Sequence, residues 1–220
     1  MSSLLHLDPD ELLTTTRAVR KRLDLDRPVD DDLIRECVRV AMQSPSGSND
    51  MTMRFVVVKD EDKRRAIGEI YRRCWEIYTT LDGVYAGSIR KDTAAEQAQQ
   101  DRVVESAVHL SENLARVPVL VLACSEGARL DGVPAMRAAS GFGNVLPAMW
   151  SFMLAARARG LGTAWTTLSL MMEQEVADIL DIPFDRVQQA CLSPLAHTVG
   201  TDFKPAARPE PDTIIHWDGW

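Results

Sequence analysis

The chain holds only four cysteines in 220 residues, Cys37, Cys74, Cys124 and Cys191, with no C-x-x-C pair and no histidine at zinc-finger spacing. That scarcity argues against a disulfide frame or a zinc site, and the thiols read as buried groups of a reducing compartment. The four histidines, His6, His109, His197 and His216, show no ligand spacing, and neither a G-x-S-x-G elbow nor a Walker loop occurs. Self-contained hydrolytic or phosphoryl-transfer chemistry therefore lacks its usual residues, and no metal is expected. No apolar run reaches about 18 residues, and Met1-Ser2-Ser3-Leu4-Leu5-His6 lacks a basic segment leading into an apolar one. The expectation is a cytoplasmic protein with no membrane partner. Cations are outnumbered, 25 Lys and Arg against 32 Asp and Glu, for a net charge of −7. An acidic balance works against a sequence-independent grip on nucleic acid and against binding to an anionic membrane surface.

What is present is ordinary globular material, 45% apolar and 26% charged, sufficient for a single domain over residues 1–220. Asp8-Pro9-Asp10-Glu11 combines a capping acid, a proline at the first helical position and a carboxylate three residues after the cap, so a short helix is predicted to about Thr16. From Asp30 to Gln43, Leu33, Ile34, Cys37, Val38 and Ala41 keep the spacing of a helix with one buried face, which Ser44-Pro45-Ser46-Gly47 ends. Phe55-Val56-Val57-Val58 suits a strand, and Asp60 to Ile77 returns to helical spacing. Thr79 to Lys91 reads as a loop before a polar helix from Thr93 to Arg116. Pro118 to Ala123 fits a central strand covered on both faces. Ser125 to Ala139 looks irregular. The near absence of charge from Val145 to Ala156 predicts a helix buried all round, in a core or a subunit interface, closed by Gly160. Leu161 to Leu168 reads as a strand ending in a turn, Glu173 to Leu180 as a helix, and Val187 to Thr198 as the last strand. The Pro-rich tail ends in Trp217-Asp218-Gly219-Trp220, two large aromatics that call for a surface to pack on, a second subunit among the options.

Three separated segments carry the chemistry. Thr16-Arg17-Ala18-Val19-Arg20 follows the first helix, and with Lys21, Arg22 and Arg27 nearby an anion site and a basic surface loop both explain it. Ser44-Pro45-Ser46-Gly47-Ser48-Asn49 lies between helix and strand, where backbone N–H groups and short side chains can turn toward a ligand, or simply stop a helix. Arg208 stands in the tail. A mononucleotide phosphate is a compact dianion, and guanidinium forks converging from separate elements would hold one. Gly141-Phe142-Gly143-Asn144-Val145-Leu146 begins like a dinucleotide fingerprint but lacks the third glycine and a preceding strand, so no Rossmann site is expected there. Met149, Trp150 and Met153 fit core packing better than a cofactor box, although a flavin ring needs an apolar wall of the same kind.

The order of Thr16-Arg17-Ala18-Val19-Arg20-Lys21, Ser44 to Asn49 before Arg54-Phe55-Val56-Val57-Val58, Ala155-Ala156-Arg157-Ala158-Arg159-Gly160-Leu161-Gly162-Thr163-Ala164-Trp165, and Arg208 resembles the FMN-dependent nitroreductase family. The similarity runs from about Leu12 to Trp220 and is greatest to actinobacterial NAD(P)H nitroreductase-like members, which end in a similar His-Trp-x-Gly-Trp. The resemblance implies an α+β, nitroreductase-like fold, with a central, mostly antiparallel sheet flanked by helices, in an intertwined homodimer whose active sites share residues of both chains. It assigns Arg17, Ala18 and Arg20 to the FMN phosphate and ribityl chain, and Arg208 to the phosphate. Pro45, Ser46, Gly47 and Asn49 match the loop that reaches the flavin, often from the partner subunit. Thr166, Thr167 and Leu168 match the strand-end turn whose backbone N–H groups approach the ring.

The implied activity is hydride transfer from NADH or NADPH to FMN and on to a small-molecule acceptor, a nitroaromatic, quinone or activated enone, by a ping-pong mechanism. No side chain is nominated as catalytic. Two departures keep other outcomes open. Ala18 stands where the family often has serine, and Asp50-Met51-Thr52-Met53 stands where many members read x-Gln-Pro-Trp. The alternatives are an FMN- or deazaflavin-dependent dehydrogenase or dehalogenase of a dedicated metabolite, and a non-catalytic flavin-binding protein.

Overall fold

Four helices begin where a side chain can satisfy the free N–H groups of a first turn. In the computed structural model, which describes residues 4–220, α1 (Pro9–Thr15) is capped by Asp8, α2 (Asp31–Ala41) by Asp30 and α3 (Glu61–Tyr78) by Asp60. Thr93 and Glu96 form a reciprocal capping box on α4 (Ala94–Asn113). Each such cap contributes about 1 kcal/mol. A 3-10 turn, Leu114–Arg116, follows α4. The remaining helices are α5 (Ala135–Ala158) and α6 (Glu173–Leu180), and Gly160, at φ 70°, takes the left-handed backbone that stops α5.

The strands are β1 (Met53–Val58), β2 (Val119–Glu126), β3 (Leu161–Thr163) and β4 (Val187–His197), hydrogen-bonded in the order β1-β2-β4-β3 with every neighbour antiparallel. β2 is buried from Val119 to Ser125 because both faces of the sheet are covered. Val119, Val121 and Ala123 meet α2 and α5, while Leu120, Leu122 and Cys124 meet α3, the 3-10 turn after α4, and α6. A register shift at Ala123/Cys124 lets the adjacent Ala190 and Cys191 of β4 join the same face. Phe152 of α5 is fully buried and stacks on Phe55 of β1 at 5.6 Å. All four cysteines are buried and unbridged.

Two expectations about α5 change. The helix starts at Ala135, inside the stretch read as irregular, because Gly141 leaves room for Leu130: a Cβ there would lie 2.6 Å from Leu130 Cδ2. Within the single chain the helix is also not buried all round. Val145, Ala148, Met149, Phe152, Met153, Ala155 and Ala156 face the core, while Trp150 is 39% exposed on the other side. The glycine-containing Gly141-Phe142-Gly143-Asn144 segment lies within this helix, which no dinucleotide loop does. The expected strand from Leu161 stops at Thr163, and only Thr166 rejoins the sheet, as a single bridge to Leu192. In the tail Trp217 is 80% exposed, while Trp220 stacks on His216. Among the described residues no helix is long and apolar enough to cross a membrane.

Candidate functional site

The sheet edge positions the arginine segment. After α1 the chain runs beside β3, Ala18 bridging Thr163 in parallel and the Val19 N–H donating to the Thr163 carbonyl at 2.8 Å. Leu23 then bridges Thr198, and the Asp24 N–H reaches the His197 carbonyl at 2.8 Å. Val19 and Leu23 are buried, Ala18 is exposed and Arg17 and Arg20 are half-buried. Gly162 permits the approach. A Cβ on it would lie 2.9 Å from Val19 Cγ1, Leu23 Cδ2 and Thr198 Cγ2.

Two hollows share Arg20. The first, of about 330 Å³, is lined by residues 17–22, by Ser106 of α4 and by Asp202, Phe203 and Lys204 at the start of the tail. The second, of about 240 Å³, is walled by Tyr71, Trp75, Tyr78 and Trp165 and closed by Thr166, Thr167 and Leu168. The structure thus gathers Arg17, Ala18 and Arg20 with Thr166, Thr167 and Leu168 around one guanidinium.

The cations differ in what neutralises them. Lys21 pairs with Glu105 at 2.5 Å and Arg22 with Asp202 at 2.6 Å. Among the described residues neither Arg17 nor Arg20 has a carboxylate partner. The Arg20 Nη1 donates to Ser106 Oγ at 3.2 Å, and burial holds its pKa below the ordinary guanidinium value, with the nearby Tyr71 acting the other way. A half-buried cation without a counterion is under-compensated, and an anion in the first hollow would relieve it.

At the other end, Thr166 exchanges two 2.9 Å backbone hydrogen bonds with Leu192, and its hydroxyl pairs with the Tyr71 hydroxyl at 3.0 Å. Burial pushes the Tyr71 hydroxyl's pKa up, while the Thr166 hydrogen bond and Arg20 pull it down. The exposed Thr167 has no hydrogen bond on its N–H among the described residues. The second hollow therefore combines aromatic walls, a free backbone donor and an unpaired cation.

Arg208 is exposed, among the described residues donates only to the Ala207 carbonyl at 3.2 Å, and lines a third hollow with Gln99, Gln100 and Val103 of α4. That hollow is one helical turn from Arg20's contact, because the Ser106 hydroxyl donates to the Val103 carbonyl at 2.8 Å. Residues Pro45, Ser46, Gly47 and Asn49 line none of these hollows. They form the end of α2's exit loop and a 3-10 turn, Gly47–Asn49, packed against α5. A larger hollow of about 520 Å³ lies along β1 with Asp31, Arg35, Lys59 and Lys63, but its cations are already paired, Arg35 with Asp32, Lys59 with Asp31 and Lys63 with Asp181. It has no comparable unmet charge.

Tyr71, Trp75, Tyr78, Ser106 and Lys204 join the cleft without having stood out in the sequence. The three aromatics do carry a signal: their i, i+4, i+7 spacing makes a stripe on α3 beside the aliphatic one. Nothing local marks Ser106 on its polar helix.

Residues 13–201 match the model described as the Nitroreductase family. A 5,6-dimethylbenzimidazole synthase of Rhodospirillum rubrum is 29% identical over 164 residues, 71% of this chain and 67% of that protein. An iodotyrosine deiodinase structure bound to FMN and 3-iodo-L-tyrosine superposes with a TM-score of 0.68 at 20% identity, covering 96% of this chain and 99% of the other. A variant of the FMN and NADPH-dependent nitroreductase NfnB from Sphigopyxis sp. strain HMH gives 0.67 at 20% identity, covering 97% and 100%. A BluB-like flavoprotein of Clostridium difficile 630 gives 0.68 at 19% identity over 96% and 99%. These structures share the fold.

Proposed function

The chain belongs to the nitroreductase family, and on that premise we propose that it is one FMN-binding unit of a homodimeric, cytoplasmic oxidoreductase. The observation that carries this reading is the half-buried, unpaired Arg20, which joins a cation-lined hollow to an aromatic cleft. A phosphate-terminated planar ligand has that polarity, with a dianion at one end and a flat ring at the other. FMN, when bound, supplies the redox chemistry, accepting hydride from NADH or NADPH and passing electrons to a flat, electron-poor acceptor such as a nitroaromatic, a quinone or an activated enone.

The protein's own share is binding and electrostatics. Arg17 and Arg20 neutralise the phosphate, with Ala18 offering backbone in place of a hydroxyl. Arg208 adds a further cation from the tail. Tyr71, Trp75, Tyr78 and Trp165 exclude water from the cleft, which strengthens each polar contact inside it. The free Thr167 N–H, held by the Thr166–Leu192 bridge and continued by Leu168, would donate to the electron-rich edge of a bound flavin ring and so favour its reduced state. Pro45, Ser46, Gly47 and Asn49 lie apart from Arg20 within one chain, so we assign them to the partner's site across a dimer interface.

The test is direct. Purified protein is expected to be yellow, with flavin absorbance that NADH or NADPH bleaches under anaerobic conditions. A flavin-loaded protein inert to both donors refutes the pyridine-nucleotide reductase reading. A second reading, an FMN- or deazaflavin-dependent dehydrogenase or dehalogenase of a dedicated metabolite, is favoured by Ala18 and by the resemblance to a 5,6-dimethylbenzimidazole synthase. The mass of the released cofactor, together with retained colour in the absence of donor turnover, selects it.

A further inference from the structure

We infer that Asn144 is the positioning residue that fixes the turn from Ser46 to Asn49, and through it one wall of the flavin site; the inference rests on the flavin-facing role proposed for that turn. Asn144 lies on α5, 7% exposed, and its amide holds the turn from both sides. The Oδ1 accepts from the Gly47 N–H at 2.6 Å, and the Nδ2 donates to the Thr52 hydroxyl at 3.1 Å and, at 3.5 Å, toward the Asp50 carbonyl. Between these anchors sit Ser48 and Asn49, both left-handed without being glycine, at φ 55° and 56°.

Serine in that region costs on the order of 1 kcal/mol or more and asparagine less, and two such residues in succession persist only when their surroundings impose them. The turn has two backbone bonds of its own. The Asn49 N–H reaches the Ser46 carbonyl at 3.3 Å and the Asp50 N–H the Gly47 carbonyl at 3.0 Å. Asn144 adds restraint from another element, immediately before and immediately after the strained pair. It also sets a limit on Gly47, where a Cβ would come within 3.3 Å of Asn144 Oδ1 and 3.4 Å of Ser140 Oγ.

The residue type follows from the partners. The Gly47 N–H is an obligatory donor and the Asp50 carbonyl an obligatory acceptor, so the side chain between them must present one acceptor edge and one donor edge. Asparagine does this. Aspartate, of nearly the same shape, would turn a carboxylate oxygen toward the Asp50 carbonyl.

The experiment compares Asn144→Asp and Thr52→Val with the unaltered chain, using fluorescence titration of apo-protein with FMN and with riboflavin, and amide hydrogen exchange of the cofactor-free protein. Asn144→Asp is expected to speed exchange at Gly47 and Asp50 and to weaken FMN and riboflavin by the same factor, tenfold or more, because the turn contacts the ring system that both ligands share. Thr52→Val removes one anchor and gives a smaller shift in the same direction. A merely structural role would lower the urea midpoint without moving flavin affinity at constant occupancy of the folded state. If Asn144→Asp does not fold, Thr52→Val decides, and flavin affinities unchanged in it overturn the inference. An unaltered chain that binds FMN beside an Asn144→Asp protein of equal affinity overturns the inference alone. An unaltered chain that binds neither flavin refutes the functional reading, and the inference with it.

Discussion

Replacing Gly162 by alanine tests how the sheet delivers the arginines, because the sign of the stability change depends on one packing contact. In a strand that could accommodate a methyl group, Gly→Ala stabilises by about 0.5–1 kcal/mol, since glycine loses more conformational freedom on folding. Here the new Cβ would meet Val19 Cγ1, Leu23 Cδ2 and Thr198 Cγ2, each at 2.9 Å. Ordinary contacts begin near 3.4 Å, so the three side chains must withdraw by about 0.5 Å or more. Two of them, Val19 and Thr198, are β-branched and stiff. Overpacking of this kind costs about 1–3 kcal/mol. For a chain of this length that corresponds to a fall in Tm of roughly 2–12 °C. The withdrawal also carries Ala18 and Arg20 away from β3, and misplacement on the order of 1 Å in a binding constellation is costly. Thermal unfolding of apo-protein by circular dichroism, with an FMN titration alongside, reads both effects. A Gly162→Ala protein with raised Tm and unchanged FMN affinity would refute the argument that the arginine segment is packed on this glycine.

Three further outcomes follow from the same structure. Phe152→Ala removes a fully buried ring stacked on Phe55, and a loss of about 3–5 kcal/mol is expected in urea unfolding; a loss below about 1 kcal/mol would contradict the core assignment. Deleting residues 214–220 removes Ile214 and Trp217, at 74% and 80% exposure, together with Trp220; in the proposed homodimer the truncated chain sediments as a monomer at concentrations where the full chain is dimeric, and an unchanged sedimentation coefficient argues against a tail-covered interface. Asp31, Glu105, Glu175 and Asp202 each have a pKa lowered chiefly by a side-chain hydrogen bond from Lys59, Lys21, Arg73 and Arg22 respectively. Groups with a depressed folded pKa contribute fully above the unfolded value of about 4 and lose that contribution as pH falls through the lower folded value, so the urea midpoint should drop below about pH 4, and Asp202→Asn should flatten that drop.

The sequence announces structure wherever a local cause suffices. Asp8 marks a helix start because capping is a short-range hydrogen bond, and α1 begins beside it; Asp30, Asp60 and Thr93 with Glu96 cap α2, α3 and α4 by the same local means. The alternating faces of β2 produce an unbroken apolar run for the same reason that a sandwiched strand needs one. The start of α5 is less legible, since Gly141 and Gly143 weaken the helical signal while the packing of Leu130 on Gly141 favours the helix. The exposed side of α5 was equally hidden, because Trp150 reads as apolar whether a core or another chain covers it. At the candidate site, the basic segment and the Thr166 turn can be named from the chain alone, but their meeting at Arg20 depends on the Ala18–Thr163 bridge, a contact between residues 145 positions apart. Asn144 illustrates the same limit. Its partners lie more than 90 residues away, and nothing near it in sequence signals an anchor.

On the proposed function, an unpaired guanidinium at Arg20 holds the phosphate end of a flavin. Parallel titrations of the unaltered protein and Arg20→Met with FMN and with riboflavin, which lacks the phosphate, test it most directly. Hydrogen bonds to charged groups contribute about 1.5–3 kcal/mol, so Arg20→Met is expected to weaken FMN roughly 10- to 150-fold and to leave riboflavin unchanged. Equal affinity of the unaltered protein for the two ligands, or an FMN affinity indifferent to Arg20→Met, would contradict the account.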